Sequence, residues 1–381
     1  MFLLSKTHRL PFAVLCAGLF SFTCFAQYTV TNLVSSGTVS AVSTDPNLIN
    51  GWGISRSSTS PWWVSDQGSG KATLYTGTGT IEALVVPIPG IASSAPGLPT
   101  GTVFNGTTSF PVAAGTPANF LFASLDGTLS GWSPKTGAVV VAKKPGAVYT
   151  GLAMAMLNGA PYLYAANVAS GTIDVYDGNF NPVSLGRLAF TLPFPSPFGF
   201  GRLLPLSQYN LSLQLLDLIF QLSPRYAPYN VQNIGGTLYV TYAVQNPTGP
   251  PPFGPGLGFV LAFNPDGAFI TALQYGNWFN SPWGVALAPT DFGPFSHCLL
   301  IGNLGDGTIS AFNVASGAFL GKLTDSTGAN ISIDGLWGIN FGNGGTAGPL
   351  NTLYFAAGPD KETQGLFGSI TATANPLGGD Q

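Results

Sequence analysis

Charged residues are scarce in this chain. Lys, Arg, Asp and Glu make up 7% of its 381 residues, and the formal net charge is −3. A surface that binds nucleic acid needs clustered Lys and Arg to neutralise phosphates, and the sequence contains no such cluster. A disordered chain is also excluded, because 45% of the residues are hydrophobic and can bury a core. We therefore expect a folded protein that does not bind nucleic acid.

Histidine and cysteine are rarer still, with 2 and 3 residues. Once the N-terminal segment described below is removed, His297 and Cys298 alone are left. A Ser-His-Asp triad needs a base that reaches a nucleophile, and a zinc site needs three or four suitable ligands. Adjacent strand residues point to opposite faces, so His297 and Cys298 cannot act together. These shortages argue against triad hydrolases and zinc enzymes. With a single cysteine, the mature chain cannot form an intramolecular disulfide.

Residues 1–26 have the layout of a secretory signal peptide. A short basic start precedes an apolar run over 10–22, and Ala26 is the small residue at the expected cleavage point. The run is shorter than the roughly 20 residues that a bilayer-spanning helix needs. We therefore expect a mature chain from Gln27, exported to the periplasm or the extracellular space, with no membrane span after the signal is removed.

Glycine, proline and aromatic residues are abundant, with 51 Gly, 31 Pro and 12% aromatics. This composition is typical of many short strands joined by tight turns. A repeat unit occurs six times in the chain. It consists of a Gly-centred start, two apolar strands, a small-residue turn and a third strand. Successive units begin about 50 residues apart, except for one interval of about 80 residues. The six starts are Gly51-Trp52-Gly53, Pro99-Thr100-Gly101, Tyr149-Thr150-Gly151, Pro228-Tyr229-Asn230, Pro282-Trp283-Gly284 and Leu336-Trp337-Gly338.

The turns within the units indicate antiparallel hairpins. Three of them are nearly identical, at Asp126–Ser130, Ser170–Asp174 and Asp306–Ser310, and their central Gly accepts the positive φ that hairpin turns need. Four-stranded meanders arranged radially make a β-propeller, whereas stacked solenoids usually have shorter periods. The prediction is an all-β fold over residues 27–381, a single six-bladed β-propeller of four-stranded antiparallel blades.

Two segments complete this prediction. The long interval contains an insert at about 190–226, with a Pro- and Phe-rich loop followed by a helical pattern over Ser207 to Leu222. We expect this insert to cover the side or the mouth of the ring. Ring closure needs one blade to take strands from both chain ends, so Tyr28–Val34 is predicted to pair near Gly368–Ala372.

Several longer motifs carry a family resemblance. They are Gly-Trp-Gly-Ile at 51–54 and the segments 125–132, 227–236, 281–289, 302–309 and 334–344. With these motifs the chain resembles an uncharacterised family of exported bacterial β-propeller proteins, which are NHL-like. Some relatives in that family carry a PEP-CTERM sorting tail, and we do not expect that sorting route here because the apolar helix of the tail is missing. The resemblance implies the fold and no particular activity.

The unit starts supply a candidate binding site. Four of them carry an aromatic residue, namely Trp52, Tyr229, Trp283 and Trp337. If the units are equivalent, these rings surround one end of the central channel. They either pack between blades or form a platform that stacks on a sugar or another planar ligand. The polar neighbours that could hydrogen-bond such a ligand are Thr100, Thr150 and Asn303.

The alternative to a ligand-binding site without catalysis is a metal-assisted hydrolase of lactonase type. In that fold, oxygen ligands from just before the blade-start Gly hold a divalent ion, and here those positions carry no carboxylate. A weaker ligand set for Ca²⁺, which needs six to eight oxygens, is Asp66, Asn167, Asn303 and Asp360. We therefore predict a monomeric extracytoplasmic binding or interaction module without a cofactor, for a glycan, another small molecule or a protein. The hydrolase is the alternative.

Overall fold

The computed structural model describes residues 28–92, 95–191, 225–246 and 249–373. Six sheets of antiparallel blades follow one another along the chain, so the predicted six-bladed β-propeller is confirmed. The predicted signal peptide and residues 192–224 of the predicted insert lie outside the described residues. No helix in the described part is long and apolar enough to cross a membrane.

The strands are numbered in chain order. Two precede the first blade, β1 (Tyr28–Ser35) and β2 (Ser43–Thr44). Blade 1 contains β3 (Gly51–Ser55), β4 (Trp62–Asp66), β5 (Lys71–Tyr75) and β6 (Val86–Pro87). Blade 2 contains β7 (Pro99–Phe104), β10 (Phe120–Ser124), β11 (Thr128–Ser133) and β12 (Gly137–Lys143), with a small hairpin of β8 (Pro111–Ala113) and β9 (Thr116–Pro117) between its first two strands.

Blade 3 contains β13 (Tyr149–Leu157), β14 (Ala160–Asn167), β15 (Thr172–Tyr176) and β16 (Pro182–Val183). Blade 4 contains β17 (Tyr226–Ile234), β18 (Thr237–Val244), β19 (Phe259–Phe263) and β20 (Phe269–Ala272). Blade 5 contains β21 (Pro282–Leu287), β22 (Cys298–Asn303), β23 (Ile309–Asn313) and β24 (Phe319–Lys322), with a 3-10 turn at Gly293–Phe295. Blade 6 contains β25 (Leu336–Phe341), β26 (Leu353–Ala357), β27 (Leu366–Ala372) and β1, with one helical turn, α1 (Pro359–Glu362).

Ring closure follows the prediction. Strand β1 pairs antiparallel with β27, from Tyr28 opposite Ala372 to Ser35 opposite Leu366. The Tyr28 hydroxyl also donates a hydrogen bond of 3.0 Å to the carbonyl oxygen of Phe292 in blade 5. The two chain ends are therefore joined within one blade, and β1 gives β27 the strand partner that it would otherwise lack.

The turn residues also behave as predicted. The Asp126 carboxylate accepts hydrogen bonds from the backbone N–H and hydroxyl of Thr128, at 3.2 and 2.7 Å. Asp306 accepts the same pair from Thr308, at 3.1 and 2.7 Å. These side chains stabilise the turn between the second and third strands of their blades, so a metal is not needed to explain either Asp.

The six innermost strands approach one another so closely that the channel is almost closed. A Cβ atom on Gly284 would lie 2.6 Å from the carbonyl oxygen of Trp337, and one on Gly338 would lie 2.7 Å from that of Trp52. At the equivalent position of blade 4, Asn230 replaces glycine, and its amide donates a hydrogen bond of 2.8 Å to the Trp283 carbonyl oxygen. The space between these strands is about 10 Å³, which is roughly the room for one water molecule.

Candidate functional site at one end of the propeller axis

The structure brings the four aromatic side chains of the unit starts together at one end of the axis. The rings of Trp52 and Trp337 stack with centroids 3.7 Å apart and an interplanar angle of 22°. Trp283 meets Trp337 edge-on at 5.9 Å, and Tyr229 lies 5.9 Å from the same ring. Trp337 is therefore the centre of an aromatic cluster contributed by blades 1, 4, 5 and 6.

These rings cover one another. Trp337 is 0% exposed, and Trp52, Tyr229 and Trp283 are each 4% exposed. The Trp283 indole N–H donates to the carbonyl oxygen of Thr150 across the axis, at 2.9 Å. Since stacking on a sugar needs an open ring face, the geometry favours packing over an aromatic platform. A ligand at this end of the axis could reach only ring edges.

The predicted polar neighbours are engaged by the backbone. The Thr100 hydroxyl donates to the carbonyl oxygens of Ala123 and Tyr149, at 3.1 and 2.8 Å. The Thr150 hydroxyl lies 3.5 Å from the carbonyl oxygen of Ala166. Asn303 accepts from the Asn280 N–H at 3.0 Å and donates to the Trp278 carbonyl at 2.9 Å. These three side chains therefore hold blade geometry, and their hydrogen-bonding capacity is largely used.

Three polar side chains that the sequence analysis did not single out lie directly against the aromatic cluster. Asn50 accepts a hydrogen bond of 3.0 Å from the Trp337 indole N–H. Its amide nitrogen lies 2.8 Å from the side-chain oxygen of Gln67 and 3.1 Å from a carboxylate oxygen of Glu362. We call this group of three side chains, Asn50, Gln67 and Glu362, the polar rim. Asn50 lies just before β3, Gln67 just after β4, and Glu362 in the turn after β26.

The polar rim depends on backbone in an unfavourable conformation. Asp360, Lys361 and Glu362 have φ values of 54°, 54° and 68°, and the left-handed region costs about 1–2 kcal/mol for each such residue. Several hydrogen bonds hold this turn, among them those from the Asp360 N–H to Asp334 at 2.9 Å and from the Glu362 N–H to the Gly358 carbonyl oxygen at 3.0 Å. Three successive residues of this kind are typical of a functional position whose surroundings impose the strain.

Burial makes the Glu362 carboxyl a weaker acid than an ordinary glutamate. Removal from water raises its pKa, and the hydrogen bond from Asn50 acts in the opposite direction. Burial also raises the pKa of Tyr229, and the nearby Glu362 charge raises it further. The polar rim thus places a partly buried carboxyl beside a tyrosine and an amide, a set that can accept hydrogen bonds from hydroxyl groups.

Three aliphatic side chains also lie at this mouth. Leu125, Val168 and Leu304 pack against the aromatic cluster, and each directly follows the second strand of its blade. The equivalent positions in blades 1 and 4 are Gln67 and Gln245, so polar and aliphatic side chains both occur around this ring. A mouth of this kind suits a small ligand that carries both hydroxyl and C–H groups.

The residues of the alternative metal set lie in four different blades. They are Asp66, Asn167, Asn303 and Asp360, in blades 1, 3, 5 and 6. Asn167 donates to Asp174 at 2.9 Å and accepts from the Val148 N–H at 3.2 Å within its own blade. Over residues 28–92, 95–191, 225–246 and 249–373, no group of three His, Cys, Asp or Glu side chains could hold a metal ion.

Of the two carboxyl groups in that set, Asp66 is fully buried and Asp360 is exposed. Neither carboxyl oxygen of Asp66 has a hydrogen-bond partner among the described residues. Burial raises the pKa of Asp66 well above its usual range, and the buried Asp45 nearby adds to this effect. Thr73 lies close enough to lower the pKa somewhat, without reaching hydrogen-bonding geometry. A neutral carboxylic acid is the form that this environment favours.

Comparison with known proteins supports the fold and leaves activity open. The uncharacterized protein R648 of Acanthamoeba polyphaga mimivirus is 31% identical over 350 residues, covering 89% of this chain and 78% of R648. Uncharacterized protein L690 of the same virus is 30% identical over 364 residues, covering 91% of this chain and 86% of L690. No protein-family model matches.

A structural match was found to the soluble aldose sugar dehydrogenase of Escherichia coli in the apo form. Its TM-score is 0.50 at 13% identity, covering 91% of this chain and 100% of that one. An identity this low shows the propeller fold alone. The sequence relatives are viral, so the expected bacterial and exported family stays a prediction.

Proposed function

We propose that this chain, which belongs to the same family as the uncharacterized mimivirus protein R648, is an exported binding module that holds a glycan or another small hydroxyl-bearing ligand at the axial mouth. The ligand would contact the polar rim of Asn50, Gln67 and Glu362 on one side. On the other side it would contact Leu125 and Val168, with the aromatic cluster beneath it.

The left-handed turn over Asp360–Glu362 is the observation that carries this proposal. Strain of about 1–2 kcal/mol per residue over three residues is large beside the usual net stability of 5–15 kcal/mol. Nothing in the packing of blade 6 needs a carboxyl at this position, since its strands are already joined through β26 and β27. A role in recognition accounts for the turn because it presents Glu362 to Asn50 at the axis.

The chemistry of the mouth favours a neutral, hydroxyl-bearing ligand. Glu362 and Gln67 both carry oxygens that accept hydrogen bonds, and hydrogen bonds to a charged group contribute about 1.5–3 kcal/mol. The Trp52 indole N–H is buried and has no partner among the described residues, so a bound acceptor or water would satisfy it. A lactonase-type hydrolase has less support, because the side-chain oxygens of Asn167 and Asn303 already accept hydrogen bonds from backbone N–H groups.

Binding of a panel of neutral oligosaccharides tests the proposal. Titration calorimetry would compare the wild type with Glu362→Gln, which keeps the size of the side chain and removes its charge. The matched control is Glu82→Gln, which changes the other glutamate of the described chain, away from the axis. We expect Glu362→Gln to weaken the best ligand about tenfold and Glu82→Gln to leave it unchanged.

Two results would count against the proposal. If the wild type binds no member of the panel while circular dichroism shows it folded, the axial mouth is not a glycan site. If Ca²⁺ raises the melting temperature and a chelator lowers it, a bound metal is indicated, and lactone hydrolysis should then be measured in support of the alternative.

A further inference from the structure

A larger cavity, of about 1100 Å³, lies away from the axis beside blades 2, 3 and 4. Its lining comes from the end of β12, from β15 and β16, from the segment that follows to Thr191, and from Tyr226 and Tyr242 of blade 4. None of the polar-rim residues lines it. This lateral cavity is therefore separate from the proposed axial site.

The charges around the lateral cavity are mainly positive. Lys143, Lys144 and Arg187 line it, and Asp174 is the one carboxylate among its described lining residues. The whole chain has 12 Lys and Arg, so three at one cavity is a concentration. The Lys143 ammonium bonds to the Ile91 carbonyl oxygen at 2.9 Å, which leaves Lys144 and Arg187 as the cations most available to a ligand.

Asp174 forms an ion pair with one of these cations, Lys144. Its carboxylate already accepts hydrogen bonds from the Tyr149 hydroxyl and the Asn167 amide, both at 2.9 Å. The Lys144 ammonium lies 2.8 Å from the same carboxylate and is about half exposed. Arg187 is exposed and makes no hydrogen bond or ion pair with any described residue. Its five N–H groups can therefore bind an anion in the fork geometry that suits carboxylates.

The walls of the lateral cavity are aliphatic and aromatic. They include Ile173, Val175, Phe180, Val183, Phe190 and Tyr242. Such walls suit an apolar body, whereas a phosphate-rich ligand would need more cations than line this cavity. Burial of hydrocarbon gives about 0.8 kcal/mol per CH₂ group, so the walls can provide most of the affinity and the cations can select the head group.

We propose that the lateral cavity binds an amphiphilic carboxylate, with its apolar body against these walls and its anionic head at Lys144 and Arg187. The two features that lead to this ligand class are independent of each other, one being the charge of the opening and the other the hydrocarbon lining. The proposal does not depend on the axial site.

Paired probes of equal chain length test it on the full chain. Dodecanoate and dodecan-1-ol share an apolar body and differ in head-group charge, and calorimetry would measure each dissociation constant. We expect the carboxylate to bind about tenfold or more tightly than the alcohol. Arg187→Gln should remove most of this preference and leave the alcohol unchanged. Lys135→Gln, at the exposed turn between β11 and β12, is the matched control.

The proposal is overturned if dodecanoate does not bind, if the alcohol binds as tightly, or if neither Arg187→Gln nor Lys144→Gln weakens the carboxylate. Lys144→Gln must be checked by circular dichroism, because Lys144 also holds Asp174. Glu362→Gln should leave dodecanoate binding unchanged, so failure at the lateral cavity and failure at the axial mouth can be told apart.

Discussion

A methyl group at Gly101 should destabilise the whole ring. A Cβ atom there would collide with the backbone nitrogen of Leu152 and lie 2.7 Å from the carbonyl carbon of Gly151. Both obstacles are backbone atoms of the neighbouring blade, so no flexible side chain can move aside. Extra methylene groups in well-packed sites typically cost about 1–3 kcal/mol, and we expect Gly101→Ala to lower the free energy of unfolding by about 3 kcal/mol.

The measurement is denaturant unfolding followed by tryptophan fluorescence, since four of the unit starts place aromatic rings at the axis. The matched control is Gly345→Ala, at an exposed glycine where a Cβ would meet only the Asn343 side chain, at 3.5 Å. We expect this control to change the free energy of unfolding by a few tenths of a kcal/mol at most.

An equal midpoint for Gly101→Ala and Gly345→Ala would refute the reasoning. It would mean that the innermost strands can separate without loss of stability, and that the channel is not closed by backbone contact. A ligand or an ion could then enter the channel from the mouth, and the assignment of the aromatic cluster to packing would lose its support.

Two further predictions concern ring closure and a buried acid. Deletion of Tyr28–Val34 should lower the free energy of unfolding by about 5 kcal/mol or more, because Tyr28, Leu33 and Val34 are buried and each buried large side chain contributes about 1.5–3 kcal/mol. Asp66→Asn should stabilise the protein near neutral pH. The reason is that the folded-state pKa of Asp66 is raised. The wild type therefore loses stability as the pH rises from the unfolded-state pKa of about 3.9 towards the folded-state pKa. The loss is about 1.36 kcal/mol of unfolding free energy per pH unit.

Each of these has a matched control. Thr31→Ala, at an exposed position of β1, should leave the melting temperature almost unchanged, and a deletion variant that melts with the wild type would contradict the closure argument. Asp291→Asn changes an exposed carboxylate. If Asp66→Asn and Asp291→Asn give parallel stability profiles between pH 4 and pH 7, Asp66 is not held as a neutral acid.

Much of the fold could be predicted because its contacts are local along the chain. Each blade pairs strands that follow one another, and turns such as Asp306-Gly307-Thr308 carry the residue types that their geometry requires. The hairpin turn predicted at Asp126–Ser130 leads from β10 (Phe120–Ser124) into β11 (Thr128–Ser133) in the structure. Closure through Tyr28–Val34 could be predicted as well, because an unpaired strand at one end of the repeat needs a partner at the other.

The candidate site could be predicted only in part. Equivalence of the unit starts placed Trp52 and Trp337 at one end of the axis, where the structure has them. The same reasoning could not show that their faces cover each other, because that depends on how closely the blades approach. It also missed Asn50 and Glu362, which lie 312 residues apart in sequence and meet only when the ring closes.

The sequence by itself determined the number of blades, the strand order within each blade and the partner of the first strand, since these follow from a repeated pattern of apolar strands and turn residues. Only the tertiary structure decided which side chains are available to a ligand. Distances between blades set the closed channel, the buried aromatic rings and the strained turn at Glu362. Those distances arise from packing around a common axis, which local sequence patterns do not specify.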